Sequence, residues 1–430
     1  MALMLIKNIK LLAGVREENS LLRGKQLAKL PCIENAFLII QDGLIDSYGK
    51  MEDIEKRVTD FSNQVDASGQ TVLPAWCDSH THLVFAASRE EEFIDKIKGL
   101  SYAEIAARGG GILNSAKKLN AASETELFNL AWKRLEEVSK LGTGAIEIKS
   151  GYGLSVEGEL KMLRVIKKLK ERSNLSIKAT FLGAHTYPPE YKENHQGYID
   201  LIINEMLPVI AKEKLADYID VFCETGFFSP EETETICKAG MAYGLKPKLH
   251  VNQLNSIGGI ETGTKLNAVS LDHLETLTEN DISILGGLKA SPTSLRAEQS
   301  KGEVWRGIST LLPTAAFFLR MPFQPARQLI DAGCAIALAT DYNPGSSPSG
   351  NMNLVIAMSC IQMKMLPEEA INAATINGAY AMELQNEAGS ITVGKKASMI
   401  FTKQIPSLAY LPYAFGANHI DKVMIKGQWA

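Results

Sequence analysis

Across the middle of the chain, short apolar runs alternate with stretches of helical periodicity. The runs fall at Val72–Cys77, Ala145–Ile148, Ile177–Leu182, Tyr218–Cys223, Lys248–Val251, Ala268–Leu271, Leu288–Ser291 and Ala335–Ala339, and each predicts a strand. Between them, segments such as Glu124–Lys140 and Val156–Arg172 repeat apolar residues every three to four positions, the spacing of a helix buried along one face. About eight such β–α units in roughly 300 residues predict an α/β fold, a TIM-type (β/α)8 barrel. A doubly wound open sheet is the alternative, weakened because no G-x-G-x-x-G turn follows the first strand.

The two ends follow a different pattern. Met1–Leu12 alternates apolar and basic residues as a strand does, and Ala36–Gln41 and Leu44–Tyr48 flank Asp42-Gly43, a hairpin turn signal. At the other end Ile391–Val393, Ala397–Thr402 and Lys422–Ile425 are short extended runs punctuated by glycine. Neither end is large enough for its own core. Residues 1–71 and 390–430 are therefore expected to combine in one small β-sandwich domain, leaving residues 72–389 to the barrel.

Composition narrows the partners. A formal net charge of −4 with no basic stripe argues against nucleic acid, and no run of about 18 apolar residues predicts a membrane span. The six cysteines (Cys32, Cys77, Cys223, Cys237, Cys334, Cys360) include no C-x-x-C pair, which fits a reducing, cytoplasmic compartment.

The rare residues fall in a pattern. Of seven histidines, five lie just after a predicted strand: His80 and His82 after the first, His185 after the third, His250 after the fifth and His273 after the sixth. Asp341 follows the eighth. A barrel points the C-terminal ends of all its strands at one rim, so these dispersed positions converge there. His80 and His82 share a face and can grip one ion together. An isolated H-x-H is more often two ordinary histidines; convergence with His250 and Asp341 reverses that weighting. Three imidazoles and a carboxylate suit one zinc or iron ion, divalent or trivalent, per subunit.

Other residues fit a small anionic substrate. Arg89, just beyond the H-x-H, could bind a carboxylate bidentately, or could simply pair with Glu90-Glu-Glu92. Tyr152 lies between two glycines, where its ring could pack on a flat substrate or merely complete a turn. Tyr102 is a weaker candidate. The Gly109–Gly111 run could cradle an anion or serve as a hinge.

Extended matches carry a resemblance. Leu73-Pro-Ala-Trp-Cys-Asp-Ser-His-Thr-His82, Ser88-Arg-Glu-Glu-Glu-Phe93, Gly109-Gly-Gly-Ile-Leu113, Glu147-Ile-Lys-Ser-Gly-Tyr-Gly153, Thr180-Phe-Leu-Gly-Ala-His185 and Asp341-Tyr-Asn-Pro-Gly345 span most of the chain. With them the sequence resembles the amidohydrolase superfamily and, within it, the imidazolonepropionase family. The resemblance implies hydrolysis of 4-imidazolone-5-propanoate to N-formimidoyl-L-glutamate in histidine degradation, by a homodimeric enzyme. It implies His80, His82, His250 and Asp341 as ligands of zinc or iron. It implies Arg89, Tyr152, His185 and Gln253 as substrate contacts, with Asn343, Gly345 and Ser346 against the product-like end. His273 is implied beside the activated water, and proton transfer falls to His273 and Asp341, undivided between them. Two departures refine the match. The fourth strand ends Phe222-Cys-Glu224 without the lysine that bridges two metals in many members, which favours a single ion, and Lys149 follows the second strand instead. Gln253 stands where related deaminases carry a glutamate, which argues against a ring deaminase.

Overall fold

The computed structural model describes residues 3–57, 61, 63–100, 104, 110–287 and 305–430. Tyr102, Gly109 and the expected strand Leu288–Ser291 lie outside them.

Eight parallel strands run in chain order through one sheet: β6 (Trp76–Asp78), β7 (Thr143–Lys149), β8 (Ser176–Ala184), β9 (Tyr218–Cys223), β10 (Lys246–Val251), β11 (Ser270–His273), β12 (Ile308–Leu311) and β13 (Ile336–Leu338). Just past the ends of β6 and β13 the circle is tied shut. Asp341 N donates to His80 O at 3.0 Å, and His82 N donates to Tyr342 O at 2.9 Å. Beneath that seam the buried Asp78 carboxylate accepts from Thr340 N at 3.0 Å and from Thr340 Oγ1 at 2.6 Å.

Alternation decides what each strand presents. On β7, Ile146 and Ile148 pack in the apolar core shared with the surrounding helices, while Glu147 and Lys149 face inward. The same split puts Leu249 and Val251 outward and Lys248 and His250 inward on β10. The helices Glu124–Lys140 and Val156–Arg172 occupy the residues their periodicity predicts. The first starts at a reciprocal cap in which Ser123 and Glu126 bond one another's backbone N–H, and it buries Leu127, Ala131, Leu135 and Val138.

The chain ends form a separate sheet. β1 (Leu3–Ala13), β2 (Cys32–Gln41), β3 (Leu44–Lys50), β4 (Asn63–Asp66) and β5 (Gln70–Pro74) join β14 (Met399–Gln404), β15 (Ile420–Ile425) and β16 (Gln428–Trp429). Its core gathers Ile6, Leu38, Ile40 and Val72 from one end with Met399, Phe401 and Met424 from the other.

Two expected strands need correction, and the seventh strand of the barrel is not the run expected for it. The run Val72–Cys77 is two strands in two sheets, because Pro74 has no N–H to continue a ladder; Ala75 N turns to Ser398 O and Trp76 N to Gly142 O. The seventh barrel strand is Ile308–Leu311, where Ser309 and Thr310 interrupt the apolar pattern. Ile391–Val393 contributes a single bridge from Ile391 to Val15, since the chain turns at once through Gly394.

Candidate active site

His80, His82 and His250 come together at the C-terminal mouth of the barrel, fully buried, with one ring nitrogen of each lying within 4.8 Å of the others. Asp341 completes the group: its Oδ1 lies 3.6 Å from His80 Nε2 and 3.5 Å from His82 Nε2. Burial, more than any neighbouring charge, holds all three histidines well below the ordinary imidazole pKa, so they are neutral and offer lone pairs. His80 Nε2 and His250 Nε2 are buried without a hydrogen-bond partner. Buried polar atoms rarely remain unsatisfied, and a cluster of neutral nitrogens beside a carboxylate is the donor set of a transition metal. The residues present fit such an ion.

Beneath these histidines lies a layer of buried charge that the sequence reading did not assign to the site. Asp272 Oδ2 accepts from His80 Nδ1 at 2.7 Å, fixing the tautomer that leaves Nε2 free toward Asp341. Asp220 Oδ2 stands 2.9 Å from His250 Nδ1, too skewed for a good hydrogen bond, while its Oδ1 accepts His250 N at 3.1 Å. Lys149 Nζ binds Glu147 at 2.6 Å and Asp220 at 2.9 Å, with Asp272 3.6 Å away. Burial alone would favour the neutral amine, but these three carboxylates outweigh it and raise the Lys149 pKa. Lys248 pairs with the other oxygen of Glu147. The signal was present in the sequence: Glu147/Lys149 and Lys248/His250 are polar pairs two residues apart in otherwise apolar strands.

His273 and Asp341 both sit at left-handed backbone angles, with φ of 86° and 52°. Such angles are strained for residues with a side chain and gather at functional sites. The His273 ring lies 5.2 Å from that of His250 and 5.7 Å from that of His80. Burial opposes its protonation, but Glu275, 3.3 Å from Nδ1, prevails and lifts its pKa to about 8. Burial raises Asp341 to about 7.

Tyr152 and His185 line the next part of the cavity. The His185 ring stacks on His82 at 5.4 Å, and Tyr152 meets both rings edge-on, at 5.8 Å from His82 and 5.5 Å from His185. His185 Nδ1 donates to Gly151 O at 3.0 Å, and burial lowers its pKa to about 4. The Gly151–Leu154 loop is clamped by buried Glu159, whose carboxylate accepts from the N–H groups of Gly151, Gly153 and Leu154 at 2.7–3.0 Å. Glycine is required at 153, where a Cβ would stand 2.3 Å from Glu159 N.

The remaining candidates are placed as follows. Gln253 is half-buried in the loop after β10, beyond Asn252, which also has positive φ. Asn343 is absorbed into its own turn: Oδ1 accepts from Gly345 N and Ser346 N, each at 2.8 Å, and Nδ2 donates to Asp341 O at 2.6 Å. Ser346 Oγ lies 3.4 Å from Asp341 Oδ2. Arg89 pairs with Glu92, the alternative weighed from sequence, yet the pair is largely buried, with side chains 12% and 10% exposed. Tyr102 is not among the described residues.

Comparison with known proteins agrees with this geometry. The Amidohydrolase family model matches residues 215–430. The chain is 59% identical over 425 residues to an imidazolonepropionase of Flavobacterium johnsoniae, covering 99% of each chain, and 54% identical over 426 residues to one of Christiangramia forsetii, again covering 99% of each. Among solved structures, E. coli guanine deaminase superposes with a TM-score of 0.72 at 12% identity, over 100% of this chain and 99% of that one, a likeness of fold.

Proposed function

The chain belongs to the imidazolonepropionase family of amidohydrolases, and from that premise we propose that it hydrolyses the ring C–N bond of 4-imidazolone-5-propanoate to give N-formimidoyl-L-glutamate, a step of histidine degradation. The observation that carries the reading is the gathering of three neutral, buried imidazoles, two of them within 3.6 Å of Asp341, in a chain so closely related to these enzymes. His80, His82, His250 and Asp341 would hold a single zinc or iron ion. Such an ion, when bound, supplies a Lewis acid that makes water nucleophilic near neutral pH.

The chain's own groups do the rest. Asp341 and His273 are the titratable groups at the mouth placed for proton exchange: Asp341 lies beside the histidines, and the Glu275 carboxylate raises the His273 pKa to about 8. One of them takes the proton of the attacking water and returns it to the ring nitrogen as the C–N bond breaks. With Nδ1 turned to Glu275, His273 keeps Nε2 for the cavity and can stabilise negative charge on the carbonyl oxygen. Tyr152 and His185 offer aromatic surfaces to a flat ring, and Gln253 an amide that neither gains nor loses a proton. Arg89 binds the propanoate carboxylate, with Asn343, Gly345 and Ser346 shaping the turn beside it. Within the same proposal the enzyme is a cytoplasmic homodimer; all six cysteines are free, as a reducing compartment would keep them. No described helix is long and apolar enough to cross a membrane.

The test is turnover of freshly prepared 4-imidazolone-5-propanoate, following formimidoylglutamate and ammonia separately. Formimidoylglutamate without ammonia is expected. Ammonia release from the ring would replace this reading with deamination.

A further inference from the structure

The Arg89–Glu92 pair has a geometry that a plain salt bridge does not need. Arg89 precedes the helix Glu90–Ile97, and Glu92 stands three residues on, on the same face. Glu92 Oε2 accepts from Arg89 Nε at 2.8 Å and from Nη2, so one edge of the guanidinium is fully used. The other carboxylate oxygen, Oε1, accepts from Gly111 N at 2.9 Å, at the start of the helix Ile112–Ala121. Nη1 lies over Gly345, where a Cβ would come within 2.3 Å of it. One carboxylate oxygen, its partner oxygen anchored at Gly111, and one glycine thus define where the guanidinium sits. Of its five N–H bonds three remain, and two of them, one from each Nη, form the Nη1–Nη2 edge that matches a carboxylate. One residue beyond Gly345, Ser346 reaches Asp341.

We propose that Glu92 is a positioning residue for substrate recognition: it holds Arg89 edge-on over Gly345 so that the Nη1–Nη2 edge is ready for the substrate's carboxylate, and it ties that arginine to the Gly111 loop. This rests on the reading that Arg89 binds the propanoate tail. Because Arg89 and Glu92 cancel in charge, attraction for an anion falls to Lys96, one turn further along the same face. Its half-buried ammonium donates to Gly345 O at 3.4 Å. Glu92 therefore contributes by pre-orienting the arginine rather than by adding charge.

A kinetic cycle tests this. In Glu92→Ala, KM for 4-imidazolone-5-propanoate should rise about tenfold with kcat within about twofold. Inhibition by glutarate, a probe that carries the carboxylate and lacks the ring, should weaken in parallel. Glu92→Asp, which keeps the charge but shortens the reach, should fall between, and Glu92→Gln should recover part of the loss, because its one amide oxygen can still accept from Arg89 while the contact to Gly111 is given up. Placed in an Arg89→Ala background, Glu92→Ala should add nothing further to KM. Additive losses, or an unchanged KM in Glu92→Ala, would overturn the proposal. If Arg89→Ala itself left KM and glutarate inhibition unchanged, the underlying assignment of Arg89 would fall instead.

Discussion

On the floor of the cavity, His80, His250 and Asp272 stand in or just past barrel strands, and buried charges brace them from below. At the rim, Arg89, Gly111 and Gly345 stand on three separate loops and meet through one carboxylate, one close backbone approach and the ammonium of Lys96. The floor is fixed by the sheet ladder and by ion pairs that have no water to retreat to. The rim is fixed by side chains that can let go. On the proposed roles, metal chemistry tolerates little displacement of its ligands, whereas holding a flexible propanoate tail tolerates more, and the two constructions would follow that difference. The floor is costly: two lysines and three carboxylates are wholly buried, and removing one member leaves the others unpaired.

Substitutions on each side should therefore fail in different ways. The largest effect is expected on the floor. His80→Ala or His250→Ala should lose bound metal and lower turnover by more than about 10³-fold, read by elemental analysis and steady-state rate on the same preparation. Lys149→Met comes next. Stripping Glu147, Asp220 and Asp272 of their shared cation should cost about 3–5 kcal/mol of stability by denaturant unfolding. Metal affinity in competition with a chelator should fall about 10–100-fold. Retention of both would break the contrast between floor and rim. At the rim, Arg89→Lys should leave metal content and stability unchanged and raise KM by about tenfold, since lysine cannot make the two-pronged contact. The smallest effect is expected for Gly345→Ala. Its new Cβ would displace the guanidinium by a few tenths of an ångström or more, raising KM by about threefold while metal content stays the same.

The sequence exposed the site better than its support. Histidines are scarce, so five of seven at predicted strand ends stood out, and all five carry the cluster or flank it. Helix periodicity over Glu124–Lys140 and Val156–Arg172 was unambiguous because capping and one-sided burial agree there. The supporting ion pairs were not legible as pairs. Lys149 meets Asp220 across 71 residues, and charge inside a strand looks like a solvated face until the barrel closes around it. Positive φ at His273 and Asp341 leaves no trace in residue type, since neither is glycine. The change of sheet at Pro74 was hidden by an apolar run that continues through it.

One measurement bears most directly on the floor of the cavity: metal content and turnover of a single preparation before chelation, after it, and after adding back zinc or iron. One equivalent per chain is expected, with turnover lost on chelation and regained on reconstitution in the wild type and in neither His80→Ala nor His250→Ala. Undiminished turnover in the metal-free protein, or full metal content in both variants, would contradict it.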